Sequence, residues 1–237
     1  MPNKIKYLVT GGSGNLGTHL CPKIKCLTPS KEELDILNVA QIEKFVSLDE
    51  INAVLHMAAI ADTTLADKNK KMTYEVNVKG TANIASAAKR FNKKIIYIST
   101  DYVFPCTEGG YKEIDQPQPF NWYGFTKYAG ELEIQNSTDN YLIIRTSFRP
   151  VVWPFPTAYS DIYTSADYID VIAAELALCL NQATDLMGII HIGTPTKTLY
   201  ELAKKRNPDV LPEKSNDNKK NRTLSLEKWQ QIKNQLL

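Results

Sequence analysis

The sequence predicts an α/β chain built on a doubly wound parallel sheet. Three observations predict it. Short, largely apolar runs recur at residues 5–10 (IKYLVT), 53–56 (AVLH), 95–98 (IIYI) and 141–145 (YLIIR), as in strands buried on both faces. Stretches of helical period lie between them, and strands alternating with helices imply parallel pairing. The first run leads directly into Gly11, Gly14 and Gly17, a strand–turn–helix junction rather than a scattered glycine motif.

In chain order, residues 5–10 form the first strand, and the glycines after it permit a tight turn that opens a helix. Pro22 ends that helix within two turns, and residues 23–27 make a second strand. Residues 41–48 read as a helix and 53–56 as a buried strand that leaves through the small Ala58 and Ala59. His56, at the end of that strand, reads as a packed and satisfied histidine. Residues 74–90 have helical spacing, with Asn77 placed to bond backbone or water near a site. After Thr146 the segment SFRPVVWPFPTAYSDIYTS carries prolines and aromatics without period, the mark of an irregular lobe over the strands' carboxyl ends. Residues 167–181 form an amphipathic helix, 188–192 a strand and 199–206 a helix. Residues 207–222 read as a mobile connector, and Ser225 as the cap of a last helix. The expected division is a first domain over residues 1–150 and a small lobe over 151–237, with segments returning to the first domain.

Composition excludes several classes. At 237 residues with 43% hydrophobic and 23% charged side chains, the chain suits one substantial core and an appendage. A net charge of +2 gives no basic field for a nucleic-acid binder. Cys21, Cys26, Cys106 and Cys179 have no paired spacing and no companion histidine, so neither a metal site nor a disulfide framework is expected. With no apolar leader and no run of 18 apolar residues, a membrane span is not expected, and a cytoplasmic location is.

The candidate chemistry lies in residues 95–130. Thr100 ends the third long apolar run, a polar loop follows, and Tyr123 stands four residues before Lys127. On a helix those two side chains share a face, and an ammonium beside a phenol is expected to pull the phenol's pKa down, which suits proton delivery. A tyrosine at this distance from a lysine is weak evidence alone, and Tyr200 with Lys204 is a second instance. Only Tyr123 follows a strand ending in hydroxyls, so Tyr200 reads as a solvated first helical turn after Thr198. The turn of Gly11, Gly14, Asn15, Leu16 and Gly17 is suited to a dinucleotide pyrophosphate, giving a Rossmann-like, NAD(P)-binding reading. Where a carboxylate would take the ribose hydroxyls the sequence has Thr28 to Lys31, and Lys31 tilts the reading from NAD toward NADP.

The segments VTGGSGNLG, HMAA, NVKGT, IYISTDYVF, YGFTKYAGE and IIRTSF, in that order, resemble the extended short-chain dehydrogenase/reductases, and within them the dTDP-4-dehydrorhamnose reductase branch. The resemblance implies that Tyr123 donates a proton to a substrate ketone, that Lys127 holds the nicotinamide ribose, and that Thr100 bonds the same carbonyl oxygen. It also implies adenine-side contacts from Asp35 and Ile36, a strip beside the ribose from Ala58 and Ala59, and substrate contacts near Asp101 and Tyr102. The implied substrate is a keto sugar nucleotide, and the implied assembly a homodimer through helices such as 74–90 and 123–136. Tyr102 stands where the related dehydratases carry a glutamate and Asp101 where epimerising relatives carry a cysteine, so simple reduction fits better than a nucleotide-sugar epimerase. The chain is shorter than most extended members and its first crossover helix is clipped. The alternative is therefore a non-catalytic NADP-binding regulatory subunit, like that of methionine adenosyltransferase.

Overall fold

The structure is a computed structural model that describes residues 5–182 and 185–236. The chain runs β1 (Tyr7–Thr10), α1 (Asn15–Leu20), β2 (Cys26–Leu27), α2 (Val39–Val46), β3 (Ala53–His56), α3 (Thr63–Lys68), α4 (Lys70–Tyr74), α5 (Thr81–Arg90), β4 (Lys94–Thr100), α6 (Trp122–Ser137) and β5 (Tyr141–Thr146). It continues through β6 (Phe148–Arg149), β7 (Thr157–Tyr159), β8 (Tyr163–Thr164), β9 (Asp167–Tyr168), α7 (Ile169–Gln182), β10 (Gly188–His191), β11 (Lys197–Thr198), α8 (Leu199–Lys204), β12 (Leu211–Glu213), β13 (Asn221–Arg222) and α9 (Glu227–Leu236).

Six strands form one sheet in the order β10-β5-β4-β3-β1-β2, and every pairing in it is parallel. Alternate residues of each strand serve opposite faces, as the pleat requires. Tyr7, Val9, Leu55, Ile96, Ile98 and Ile144 pack with Ile172, Leu176, Leu180 and Trp229 of α7 and α9. Leu8, Val54, Ile95, Tyr97 and Ile143 pack on the other face with Ile42, Val46 and Ile84 of α2 and α5. Burial on both faces explains why these strands read as unbroken apolar runs. The strand order reverses between β1 and β3, where ligands bind in open sheets of this kind, at the carboxyl ends.

The expected helix at 74–90 is interrupted. A π-helical turn, Glu75–Gly80, joins α4 to α5, and such turns gather at functional positions. It carries Asn77, whose Oδ1 accepts from the Ile60 amide at 2.8 Å and whose Nδ2 donates to Ile60 O and Thr126 Oγ1, both at 3.0 Å. One buried amide thus ties the loop after β3 to α6. Pro22 ends α1 as expected, in a 3-10 turn at Cys21–Lys23, and only Cys26–Leu27 of the anticipated second strand is paired.

The expectation of a mobile connector at 207–222 is corrected. β12 pairs with β7 and β13 with β8, and Asp161 accepts from the Ser215 amide at 2.9 Å and from Lys220 Nζ at 2.7 Å. The segment is polar because a neighbouring lobe supplies its partners, not because it is solvated all round. Trp153, Ala158, Ile162, Leu199, Ala203 and Val210 form that lobe's own small core, with Tyr200 packed against it. Tyr200 is thus a half-buried packing residue rather than the solvated one expected, with Lys204 Nζ 5.9 Å from its ring centroid. Among the described residues no helix is long and apolar enough to cross a membrane.

Candidate active site

A cavity of about 690 Å³ opens along the carboxyl ends of β1, β3, β4 and β5. Gly11, Gly14, Asn15, Leu16 and Gly17 line one wall, Ala59 and the turn after it the middle, and Thr100, Tyr102, Tyr123, Lys127, Thr146 and Arg149 the far wall. The glycine turn is built for close approach. Gly11 has φ +76°, and a Cβ there would lie 2.7 Å from the Ala58 amide nitrogen. At Gly17 a Cβ would lie 2.2 Å from Gly12 O. Gly14 caps α1 without a side-chain hydrogen bond, so its first amides are free to face an anion across bare backbone. These residues fit the pyrophosphate of a dinucleotide.

The far wall comes from the start of α6, where the Asn121 side chain accepts from the Gly124 amide at 2.7 Å. This cap fixes the first turn and sets Tyr123 and Lys127 one turn apart, both on the cavity. Thr100, at the end of β4, donates to Asp101 Oδ1 at 3.1 Å and accepts from the Tyr102 amide at 3.2 Å. Tyr102 lies edge-on to Tyr123, with centroids 6.2 Å apart. The Tyr102 hydroxyl accepts from Arg222 Nη1 at 2.8 Å.

The electrostatics correct one expectation. Lys127 does not pull the Tyr123 phenol down: burial pushes it well up, and the nearby Asp101 charge pushes the same way, against the weaker help of the Thr100 hydroxyl. Burial instead lowers Lys127 from about 10.5 to about 7, with Glu131 opposing the shift. For both groups desolvation is the largest effect. Tyr123 therefore remains a loaded proton donor at neutral pH. Burial raises Asp101 as well, against Arg149 and Arg222.

The Lys127 shift has a consequence for stability. Between pH about 7 and 10.5 the unfolded chain holds a proton on Lys127 that the folded chain has released, so this residue makes stability rise with pH across that window. Lys127→Met is expected to melt higher than wild type at pH 6, with the difference shrinking as pH rises toward 10; parallel thermal melts measure it.

The remaining sequence candidates lie apart from the cavity wall. Lys31 is exposed in the turn after β2. The Asp35 carboxylate accepts from the Leu37 amide at 2.9 Å. Ile36 is buried against Gly80, where a Cβ would meet its Cδ1 at 2.6 Å. Ala58 donates its amide to Thr10 Oγ1 at 3.4 Å, and Asp101 is buried beneath Thr100. None of these five lines the cavity. His56 is packed and satisfied: Thr10 Oγ1 stands 2.6 Å from Nδ1 and Thr81 Oγ1 2.9 Å from Nε2. Since Thr81 donates its own proton to Asn77 O, Nε2 carries the hydrogen, and burial holds the ring neutral with a pKa near 3.

Sequence reasoning missed Arg149, on the cavity wall, and Arg222, behind Tyr102. Arg149 sits in the IIRTSFR segment, where a cation just past a strand end was a usable signal. Arg222 comes from the supposed connector and had none.

A dTDP-4-dehydrorhamnose reductase of Aggregatibacter actinomycetemcomitans is 30% identical over 200 residues, 81% of this chain and 63% of that protein. Methionine adenosyltransferase 2 subunit beta of Xenopus tropicalis is 26% identical over 169 residues, 66% of this chain and 48% of that protein. The chain thus spans about half to two-thirds of the length of such curated relatives. Among solved structures, a Bacillus anthracis dTDP-4-dehydrorhamnose reductase in complex with NADP superposes with a TM-score of 0.84 at 27% identity, covering 98% of this chain and 93% of that one. A UDP-glucose 4-epimerase of Thermotoga maritima shares the fold, with a TM-score of 0.75 at 17% identity over 96% of this chain and 92% of that one. The family described as RmlD substrate binding domain matches residues 5–149, well over half of the sequence, and the chain belongs to that family.

Proposed function

We propose that this chain is an NADP(H)-dependent reductase of a keto sugar nucleotide, of the dTDP-4-dehydrorhamnose reductase kind. The observation that carries the reading is that one cavity has the glycine turn on one wall and Thr100, Tyr123 and Lys127 on the other. The dinucleotide, when bound, supplies the hydride. The protein's part is to hold the ketone oxygen and protonate it. Tyr123 gives its phenolic proton to that oxygen, and its raised pKa keeps the proton available until then. Thr100 turns its hydroxyl from Asp101 to the same oxygen. Lys127 supplies positive charge beside the phenolate that forms, and a hydrogen bond to the ribose.

The anionic end of the substrate meets Arg149 on the cavity wall, while Arg222 holds the Tyr102 hydroxyl beside the proton donor. The lobe around Trp153 closes the substrate side, while α7, β10 and α9 return to the sheet. The NADP complex of the Bacillus anthracis relative supports NADP over NAD. Four free cysteines suit a reducing cytoplasm. Met72, Tyr74, Phe125 and Leu132 leave exposed apolar surface on α4 and α6, which supports a homodimer through that face; sedimentation equilibrium at micromolar concentration tests it, and a monomer throughout rules it out.

The test of the binding half is Gly11→Ala. A methyl at φ +76° against Ala58 is expected to weaken NADPH binding at least about tenfold, read by nicotinamide fluorescence, with a thermal melt to show that the fold survives. The regulatory-subunit reading is favoured by tight NADPH binding without turnover on any 4-keto-6-deoxy sugar nucleotide.

A further inference from the structure

Lys127 enters the cavity with its Nζ 3.9 Å from the centroid of the Tyr97 ring. Both residues are about 98% withdrawn from solvent or more. Tyr97 is held from two sides. Its ring stacks with His56, centroids 5.5 Å apart and planes 26° off parallel, and His56 is pinned by Thr10 and Thr81. At the other end, bare backbone at Gly130 makes room for the Tyr97 hydroxyl, which a Cβ there would approach to 2.6 Å. That hydroxyl is buried and has no hydrogen-bond partner among the described residues. What Tyr97 offers Lys127 is its ring face.

The charged and titratable groups around Lys127 leave that face a specific task. Glu131, one turn further along α6, commits its oxygens to Arg145 Nε and Nη2 on β5 and to Ser99 on β4. It acts on Lys127 only at a distance. Tyr123, one turn earlier on α6, is a neutral phenol, and His56 on β3 is neutral. Asp101, after β4, is held by Thr100 and faced by Arg149 and Arg222. A buried ammonium without its hydration shell gains most from the negative face of an aromatic ring at this distance.

We propose that Tyr97 is a positioning residue for Lys127: its clamped ring face keeps the lysine ammonium charged and aimed into the cavity. The catalytic consequence rests on the reductase reading above; the contact itself does not. On this account Tyr97→Phe keeps the ring and should behave as wild type, while Tyr97→Leu or Tyr97→Met should not.

The experiment is nuclear magnetic resonance on the full chain carrying isotope-labelled lysine, with the Lys127 signal assigned by Lys127→Arg. Wild type and Tyr97→Phe should show the Lys127 ε-methylene protons shifted upfield by the ring and the same titration midpoint. In Tyr97→Leu and Tyr97→Met the upfield shift should vanish and the midpoint fall by about one pH unit. In turnover the aliphatic variants should lose about tenfold in kcat with KM unchanged, and Tyr97→Phe nothing. Absence of the upfield shift in wild type, or a Lys127 titration that the aliphatic variants leave unmoved, overturns the proposal. Wild-type protein that shows the shift but reduces no substrate overturns the reductase reading and leaves the ring contact standing.

Discussion

Tyr123→Phe is expected to lower kcat about a thousandfold, the contribution of a well-placed general acid, while leaving the dissociation constant for NADPH within a few-fold of wild type. The substitution removes one oxygen from a side chain whose helix is fixed elsewhere, by the Asn121 cap and by the Asn77 bond to Thr126. Tyr102 keeps an aromatic edge against the ring, so the cavity wall stands. What is lost is the phenol that shares the start of α6 with Lys127 and lines the cavity with Thr100. Because burial and Asp101 both favour the protonated phenol, wild-type activity should show no loss of this donor across neutral pH. Steady-state kinetics beside a fluorescence titration measure both halves.

Glu131→Ala is expected to destabilise the fold by about 3–5 kcal/mol, a fall of about 10 °C in Tm for a chain of this size. Glu131 and Arg145 are both almost wholly buried, with Nη2 to Oε2 at 2.7 Å and Nε to Oε1 at 3.0 Å. Ser99 donates to the same carboxylate at 2.5 Å, and the guanidinium lies 5.0 Å from the Phe104 ring. Arg145 Nη1 already has no hydrogen-bond partner among the described residues, so removing the carboxylate strands a whole cation in the interior. Replacing both residues together, as Glu131→Leu with Arg145→Met, should recover most of the loss, since an apolar pair of similar volume carries no desolvation penalty. Urea denaturation of the three proteins separates these outcomes.

The parts of this fold that local chain rules dictate are the parts legible in the sequence. Residues 53–56 and 95–98 read as buried strands because each is covered on both faces, and the glycine turn reads as a ligand turn because Gly11 and Gly17 have no room for a Cβ. Thr100 and Tyr123 follow from a strand end and a helix start. Properties set by distant partners were not legible. β12 and β13 acquire order from β7 and β8, more than 50 residues earlier, so their polar composition looks like that of a solvated tail. Arg222 reaches the site only through that pairing. The direction of the Tyr123 shift depended on how dry the α6–β4 seam is, and four-residue spacing carries no information about that. Tyr97 looked like any aromatic in a strand, because its task depends on where α6 delivers Lys127.

The central claim is that one cavity joins a dinucleotide to a proton donor for ketone reduction. Its most direct test follows nicotinamide absorbance when purified protein and NADPH meet dTDP-4-dehydrorhamnose, with Tyr123→Phe run alongside. The account predicts one reduced nicotinamide consumed per ketone reduced by wild type, and almost none by the variant over the same time. Equal rates in the two proteins, or tight NADPH binding with no consumption by wild type, would contradict it.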